Sequence, residues 1–511
     1  MSTQLAEPSQ RTYGQIIKSS ILVGSSSAAN IVIGVARAKV MAVLLGPSGV
    51  GLAGLYNAIA DLTSMTAGLG VNSSGVRQIA AAASSENIGV IACTTTVLRR
   101  VSLILGLIGA LLLTIFSGLI STLTFGSDRY RSAICLLSIG VFFRLVSAGQ
   151  TALIQGMRRI ADLAKIGVWG SFLGTVVTVF IIFLLRENGI VLSIICGGAI
   201  SLLISWIYSR KLRVASLPMK LSEIAGEVNS LLKLGVAFMF TGLMTMGSAY
   251  MIRIIILRDV GLEAAGLYQS AWTIGGLYVG FILQAMSADF YPRLTASVHD
   301  HVTCNRLVNE QAYIGLLLGG PGVLATLSFA PLVITAFYTA KFYAAVQILR
   351  WLCLGTMLQV VSWPMGFIIL AKGRQDLFLL SDFAWSIAYI GFAWIFIKAF
   401  GLNGVGIAFF ASYIFHILLT YPIVKHLSGF RWSRESKRTG GLFLCAIASV
   451  FCGLYLLPYA WASGLGILSF FITSLYSLRI LACLVPINRL PGPLRLLVRR
   501  FGATAYDSFA S

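Results

Sequence analysis

Long apolar runs alternate with short polar, basic or glycine-containing segments along almost the whole chain. A run of about 20 apolar residues is long enough to cross the hydrocarbon core of a bilayer as a helix. Such runs occupy residues 16–45, 49–80, 90–120, 130–155, 162–185, 189–209, 228–257, 262–288, 311–337, 342–370, 377–398, 402–424, 440–458 and 462–485. The period-2 alternation of a membrane barrel is absent, and open sheets are excluded from lipid. The pattern predicts an all-α polytopic membrane protein of 12–14 spans, because the last two runs also fit a re-entrant hairpin.

The composition agrees with this interpretation. Charged residues make up 11% of the 511 residues, and apolar residues make up 57%. A soluble domain carries about 25% charged residues. The net charge of +21 would indicate nucleic acid or anionic lipid as a partner, but so few charges cannot cover a soluble globule. A soluble nucleic-acid-binding protein is therefore excluded. The eight cysteines are scattered without metal-ligand spacing, so neither a metal nor a cofactor is expected.

The distribution of basic residues predicts the orientation of the helices. With the N-terminus assigned to the cytoplasm, the inner segments hold 27 Lys and Arg residues. The outer loops hold six, namely Arg129, Arg131, Arg186, Arg258, Lys341 and Lys398. Lys and Arg accumulate in the cytoplasmic loops of membrane proteins. The split therefore predicts that both termini are cytoplasmic and that most of the positive charge sets the topology.

The chain also repeats itself at an interval of 212 residues. Gly49 and the triplet 54–56 recur as Gly261 and 266–268, and Phe125, Tyr130, Ala133 and Leu137 recur as Phe337, Phe342, Ala345 and Leu349. Six helices in each half predict two six-helix bundles, 1–212 and 213–430, related by a pseudo-two-fold axis along the membrane normal. Residues 431–511 add a helix pair and a basic cytoplasmic tail. The similar segments 46–53 and 401–408 predict tight outer turns with glycine at positive φ.

Five cations lie inside predicted spans: Arg37, Lys39, Arg144, Arg253 and Arg350. An ionised side chain at the bilayer centre costs about 2.5–3.5 kcal/mol on insertion scales. These cations are therefore expected to face a water-filled chamber between the halves and to bind substrate there. The alternative is that some of them reach the outer headgroups instead.

Acidic residues within the spans are fewer. Asp61 is a candidate either for proton coupling or for an ion pair with an arginine, and a structural salt bridge to Arg37 or Lys39 is equally compatible with the sequence. Asp289 and Asp382 lie near the inner ends of their helices and are candidates for coupling or gating.

A cationic chamber in a carrier favours an anionic substrate. Arginine binds phosphate oxygens in pairs, so a pyrophosphate group fits such a chamber well.

Two segments resemble a known family. The first is AKVMAVLLGPSGVGL at 38–52, and the second is LAKGR at 370–374. Both are similar to the bacterial O-antigen and polysaccharide flippases of the multidrug/oligosaccharidyl-lipid/polysaccharide exporter superfamily. The resemblance covers about 1–430, whereas residues 250–253 lack the acid that family members often place beside the basic residue. It implies two bundles around a central cavity in the bacterial inner membrane. It also implies alternating-access transfer of undecaprenyl-diphosphate-linked oligosaccharide to the periplasmic leaflet.

Two other functions stay open at this stage. A multidrug antiporter of the same fold usually presents acids and aromatic residues to its cationic drugs, whereas this chain offers cations. A membrane polysaccharide polymerase or ligase usually has a large catalytic outer loop, and the outer loops here are short. The expected partners are a polyprenyl-diphosphate-linked oligosaccharide, the bilayer and other polysaccharide-assembly proteins such as a polymerase. No nucleic acid is expected, and the protein is expected to be a monomer and not an enzyme.

Overall fold

The structure, a computed structural model, describes residues 7–84, 88–212 and 221–484, and every element in these ranges is a helix. The α-helices are α1 (Glu7–Ala67), α2 (Val71–Ser84), α3 (Ile88–Ile115), α4 (Ser117–Phe125), α5 (Arg131–Gly156), α6 (Ile160–Leu185), α7 (Gly189–Arg210), α8 (Leu221–Asp259), α9 (Leu262–Ala296), α10 (His301–Ser328), α11 (Ala330–Phe337), α12 (Ala345–Ala371), α13 (Gln375–Phe400), α14 (Asn403–Ser428), α15 (Arg434–Leu456) and α16 (Tyr459–Leu484). Short 3₁₀ helices lie at Asp128–Tyr130, Arg186–Asn188 and Ala340–Phe342. The predicted all-α membrane fold is confirmed.

All fourteen predicted spans coincide with these helices. Eleven segments of the described chain are long and apolar enough to cross a membrane. Two of them, Gly24–Ala67 and Ile160–Arg210, each contain two predicted spans. Within α1 the two spans are separated by a kink at Gly46, where φ is 68° and ψ is −172°. Gly401, after α13, has φ 60°. Both glycines therefore have the positive φ that the sequence predicts for them.

Packing divides the chain into two compact units. The first contains Met1–Leu267 and Phe337–Lys341. Within it, α5 packs against α3 and α7, and α6 packs against α7 and α1. One core cluster of this unit contains Tyr56, Leu113 and Ile134, with the repeat residues Phe125 and Tyr130 packed against it. The rings of Phe125 and Tyr130 are stacked with centroids 4.1 Å apart, so these repeat positions are packing residues.

Helix α8 belongs to the first unit by its contacts. It packs against α1, α2, α3 and α4. Towards its start, Thr94 Oγ1 donates to Glu227 Oε1 over 2.7 Å, and near its end Arg258 Nη2 donates to the carbonyl of Leu123 over 2.6 Å. The boundaries at 212 and 430 stay predictions.

The second unit contains Tyr268–Ala336 and Phe342–Ser511. Within it, α12 packs against α10 and α14, and α13 packs against α14. Helices α15 and α16 pack on α10 and on each other. Buried Asn309 on α10 fixes the segment before α15, because its Nδ2 donates to the Arg431 carbonyl over 3.0 Å and its Oδ1 accepts from the Ser433 N–H over 2.7 Å.

The order of helices repeats at the predicted interval. The series α3, α4, 3₁₀ helix and α5 in the first unit recurs in the second as α10, α11, 3₁₀ helix and α12. The series begins at Ile88 and again at His301, and its 3₁₀ helices begin at Asp128 and Ala340. The sequence repeat therefore corresponds to a repeat of secondary structure.

The turn after α5 holds a non-glycine residue in the left-handed region. Arg158 has φ 53°, and Gly373, at the equivalent place after α12, has φ 73°. The two turns share their hydrogen bonds: the N–H of Arg158 donates to Gln155, and that of Gly373 to Leu370. A Cβ atom makes this conformation unfavourable by about 1–2 kcal/mol, whereas glycine adopts it freely.

We therefore expect Arg158→Gly to raise the free energy of unfolding by about 0.5–1 kcal/mol, since glycine's extra freedom in the unfolded chain offsets part of the gain. The measurement is the thermal unfolding midpoint of the detergent-solubilised protein. Gly373→Ala is the matched control and should lower the midpoint. A lower midpoint for Arg158→Gly would contradict the argument.

Candidate functional site

An ion pair joins α1 to α5 inside the first unit. Asn57 and Asp61 lie one helical turn apart on α1, so their side chains share a face. Arg144 on α5 reaches both: its Nη1 donates to Asp61 Oδ1 over 2.6 Å and its Nη2 donates to Asn57 Oδ1 over 2.7 Å. The amide of Asn57 is itself oriented, because its Nδ2 donates to the Ala53 carbonyl over 2.9 Å. The guanidinium of Arg144 is therefore held in a defined direction.

The pair is reachable from outside the packed helices. The Arg144 side chain is 29% exposed and that of Asp61 is 53% exposed. One carboxylate oxygen of Asp61 is occupied by Arg144, whereas no side chain of the described residues donates to the other. A partly exposed ion pair can exchange its partner for a ligand at a smaller free-energy cost than a fully buried pair, which loses compensation for its desolvation when one partner leaves.

A second guanidinium lies nearby. Arg37 is on the first part of α1 and is exposed, and its charge interacts with that of Arg144. Two guanidinium groups near one carboxylate leave a net positive charge at this place. Such a pair is suited to an anion with several oxygen atoms, because each planar guanidinium offers two parallel N–H donors.

A cavity of about 270 Å³ adjoins the ion pair. It is lined by residues of α1, α2, α3, α5 and α8, and by the short link between α1 and α2. The polar lining residues are Asp61, Ser64, Asn72, Ser73, Ser102 and Arg144. Among the apolar ones are Met65, Leu105, Phe238 and Met246. The cavity therefore has one charged end, and the rest of its lining is neutral.

The other two cations of the first unit do not line this cavity. Lys39 donates from its Nζ to the carbonyl oxygen of Tyr338. Arg253, on α8, donates from Nη1 to the carbonyl of Ala249 one turn earlier on its own helix, over 2.8 Å. The role of these two residues in binding substrate stays a prediction.

The remaining candidates lie in the second unit. Arg350 on α12 is only 5% exposed and is buried against neighbouring helices. Asp382 lies on α13 and is half-buried, near the hydroxyl of Tyr413 on α14. Asp289 lies on α9, and its side chain is outside the described residues. The structure thus gathers Arg37, Asp61 and Arg144, and it does not bring Arg350 or Asp382 into that group.

Some lining residues escaped the sequence analysis, although a signal for them exists. Asn57, Asp61, Ser64 and Gly68 follow one another at steps of four, three and four residues. That spacing places polar and small residues on one face of a helix. The stripe on α1 therefore marks the cavity wall. Phe238 carries no such signal, because it lies in an apolar stretch of α8.

A family model and curated relatives match the chain. The model, described as polysaccharide biosynthesis protein, matches residues 40–347. The lipid III flippase of Escherichia coli (strain K12) is 24% identical over 418 residues, which are 79% of this chain and 97% of that protein. The teichuronic acid biosynthesis protein TuaB of Bacillus subtilis (strain 168) is 30% identical over 124 residues, 24% of this chain and 26% of the relative.

Solved transporters share the fold. The lipid II flippase MurJ, in an inward closed conformation, aligns with a TM-score of 0.67 at 15% identity, covering 91% of this chain and 99% of that one. A multidrug resistance MATE family transporter of the MOP superfamily, inward-facing, aligns with a TM-score of 0.65 at 19% identity, covering 80% and 99%. The family model spans more than half of the chain. The chain therefore belongs to the polysaccharide biosynthesis protein family, and its predicted relation to the flippases of the exporter superfamily is confirmed.

Proposed function

We propose that this protein is a flippase for undecaprenyl-diphosphate-linked oligosaccharide repeat units, which it moves from the cytoplasmic to the periplasmic leaflet by alternating access. The observation that carries the proposal is the arrangement of Arg37 and Arg144 beside an accessible cavity. Of the two named functions among the relatives, a lipid III flippase moves a lipid-linked glycan, which agrees with this chemistry.

The positive end of the cavity supports the pyrophosphate as the group that is recognised. Arg144 is already oriented by Asn57 and Asp61, so little side-chain entropy is lost when a phosphate oxygen replaces the carboxylate. The membrane potential, negative inside, also assists the export of an anion. Two charges crossing 100 mV gain about 4–5 kcal/mol.

The orientation and surroundings follow from the same proposal. The 27 inner Lys and Arg residues support an inner-membrane protein with both termini in the cytoplasm. There the loaded lipid is present in the cytoplasmic leaflet, and polymerase and other assembly proteins would use the product on the outer side. We propose a monomer as the working unit, since the two halves already supply two bundles.

The antiporter of cationic drugs fits the first unit less well. Its cavity has one carboxylate, Asp61, and Arg144 neutralises it at 2.6 Å. A cationic drug would meet two guanidinium groups there. The fold similarity to the MATE transporter concerns architecture and does not set the charge of the cargo.

The test is transport by the purified protein in liposomes. We expect transfer of an undecaprenyl-diphosphate-linked oligosaccharide, followed by loss of its accessibility to a membrane-impermeant glycosidase on the donor side. The matched comparison is the same oligosaccharide on a monophosphate lipid, which should move at least about 10-fold more slowly because one charged contact is worth about 1.5–3 kcal/mol. Equal rates for both lipids, or transport of cationic dyes alone, would refute the proposal.

A further inference from the structure

The neutral part of the cavity is unsuited to phosphate but well suited to a sugar. Beyond the ion pair the lining consists of hydroxyl groups, one carboxamide and the ring of Phe238, with no further cation among the described lining residues. A sugar ring has an apolar C–H face and a rim of hydroxyl groups. It therefore matches a site with one aromatic face and a few polar groups that fix orientation.

The polar groups at the cavity have bonding capacity left. Ser64 Oγ is shielded from solvent and has no hydrogen-bond partner. Elsewhere in the same unit, buried polar groups bond to one another, as Ser205 Oγ does with Gln150 Oε1 over 2.8 Å. Buried polar groups are usually paired in this way. An unpaired hydroxyl at a cavity wall therefore points to a ligand that completes it.

Asp61 adds an acceptor on the same side. Arg144 occupies Oδ1, and the carboxylate is 53% exposed, which leaves Oδ2 free to accept hydroxyl hydrogens. Asn72 and Ser73 are exposed at the start of α2 and line the opposite part of the cavity. Phe238 on α8 is 43% exposed, which is unusual for a ring between packed helices and leaves its face available.

We propose that this cavity is a sugar subsite that binds the first sugar ring of the lipid-linked oligosaccharide, the one attached to the diphosphate. Phe238 stacks on the C–H face, and Asp61, Ser64 and Asn72 bond the hydroxyl groups. At about 270 Å³ the cavity takes a single ring and not a whole repeat unit, since sites for drug-sized ligands measure about 300–1,000 Å³. The inference rests on the proposed function, because the diphosphate at Arg37 and Arg144 is what places the sugar here.

The test is equilibrium binding to the full-length protein in nanodiscs. The probes are undecaprenyl diphosphate alone and the same lipid carrying one glucose, galactose or N-acetylglucosamine. We expect one sugar-bearing lipid to bind the wild type about 10-fold more tightly than the bare lipid, because two or three added hydrogen bonds contribute roughly 0.5–1.5 kcal/mol each.

Variants of α8 and α2 separate the sugar from the phosphate. Phe238→Leu and Asn72→Ala should each weaken the sugar-bearing lipid about 3- to 10-fold and leave the bare lipid unchanged. Phe238→Tyr keeps the ring and should restore binding. The matched control is Phe240→Leu, because Phe240 is 47% exposed on the same helix but does not line the cavity.

Two outcomes would overturn the subsite and spare the proposed function. One is that no sugar-bearing lipid binds more tightly than bare undecaprenyl diphosphate. The other is that Phe238→Leu weakens both classes of lipid equally, or no more than Phe240→Leu does. If none of the lipids binds the wild type, the proposed function and the subsite both fail.

Discussion

Replacing Arg144 by alanine is expected to lower transport of the lipid-linked oligosaccharide about 10- to 100-fold at substrate concentrations below saturation. The guanidinium offers two N–H donors to the pyrophosphate, and a hydrogen bond to a charged group contributes about 1.5–3 kcal/mol. The substitution also leaves Asp61 without its 2.6 Å partner. The local charge then becomes less positive, and the carboxylate repels the diphosphate. The measurement is the initial rate in liposomes, with surface polysaccharide in a flippase-deficient strain as the cellular counterpart.

Three further variants show whether the effect comes from the charge, the shape or the fold. Arg144→Lys should retain part of the activity, because lysine keeps the charge but lacks the paired donors. The double variant Asp61→Asn/Arg144→Ala should transport better than Arg144→Ala alone, since it removes the repelling carboxylate. Arg131→Ala is the matched control, because Arg131 also begins in α5, pairs with Asp128 at 3.9 Å and is 65% exposed. Near-normal transport by Arg144→Ala would exclude this residue from the binding site.

Replacing Gly266 by alanine is expected to cost stability at the contact between α1 and α9. A Cβ atom on Gly266 would lie 1.8 Å from the carbonyl oxygen of Pro47 and 3.0 Å from the amide nitrogen of Gly51. Both neighbours are backbone atoms, so the two helices must move apart. Such overpacking costs about 1–3 kcal/mol. We expect a lower thermal midpoint in detergent and a lower yield of folded protein.

The same helix supplies the control. No atom lies within 4 Å of the place that a Cβ on Gly276 would take. Gly276→Ala should therefore leave the midpoint unchanged or raise it, because alanine favours a helix by about 1 kcal/mol over glycine. Gly51→Ala should reproduce the loss from the other side of the contact, where its Cβ would lie 2.5 Å from the carbonyl oxygen of Leu262. Tolerance of both Gly266→Ala and Gly51→Ala would show that this approach is not required.

Much of the fold follows from the sequence because lipid permits few alternatives. A buried backbone without water has to bond to itself, so each apolar run of sufficient length becomes a helix. The repeat of 212 residues then predicts the recurring helix order. The positive φ at Gly46 and Gly401 follows from the place of these glycines between spans. The grouping of helices is less accessible, because α8 follows the repeat in sequence but packs with the first unit.

The candidate site is predicted only in part. Arg37, Asp61 and Arg144 are all visible as charges within apolar runs, but the partner of Asp61 is not. The sequence suggests Arg37 or Lys39, both close along the chain, whereas the structure pairs Asp61 with Arg144, 83 residues away. Contacts between helices decide that choice. Arg350 shows the converse: α12 is apolar on every side, so no periodicity reveals that the arginine is buried.

The left-handed turns carry a record of how the chain arose. Arg158 and Gly373 share a positive φ, and Arg186 and Gly401, at φ 51° and 60°, form a second such couple. In each couple the residue types differ while the torsion angles agree. Both couples are separated by 215 residues, an interval close to that of the residue repeat. A search that compares backbone torsion angles, rather than residue identities, will therefore detect gene duplication in carriers whose two halves share no recognisable sequence.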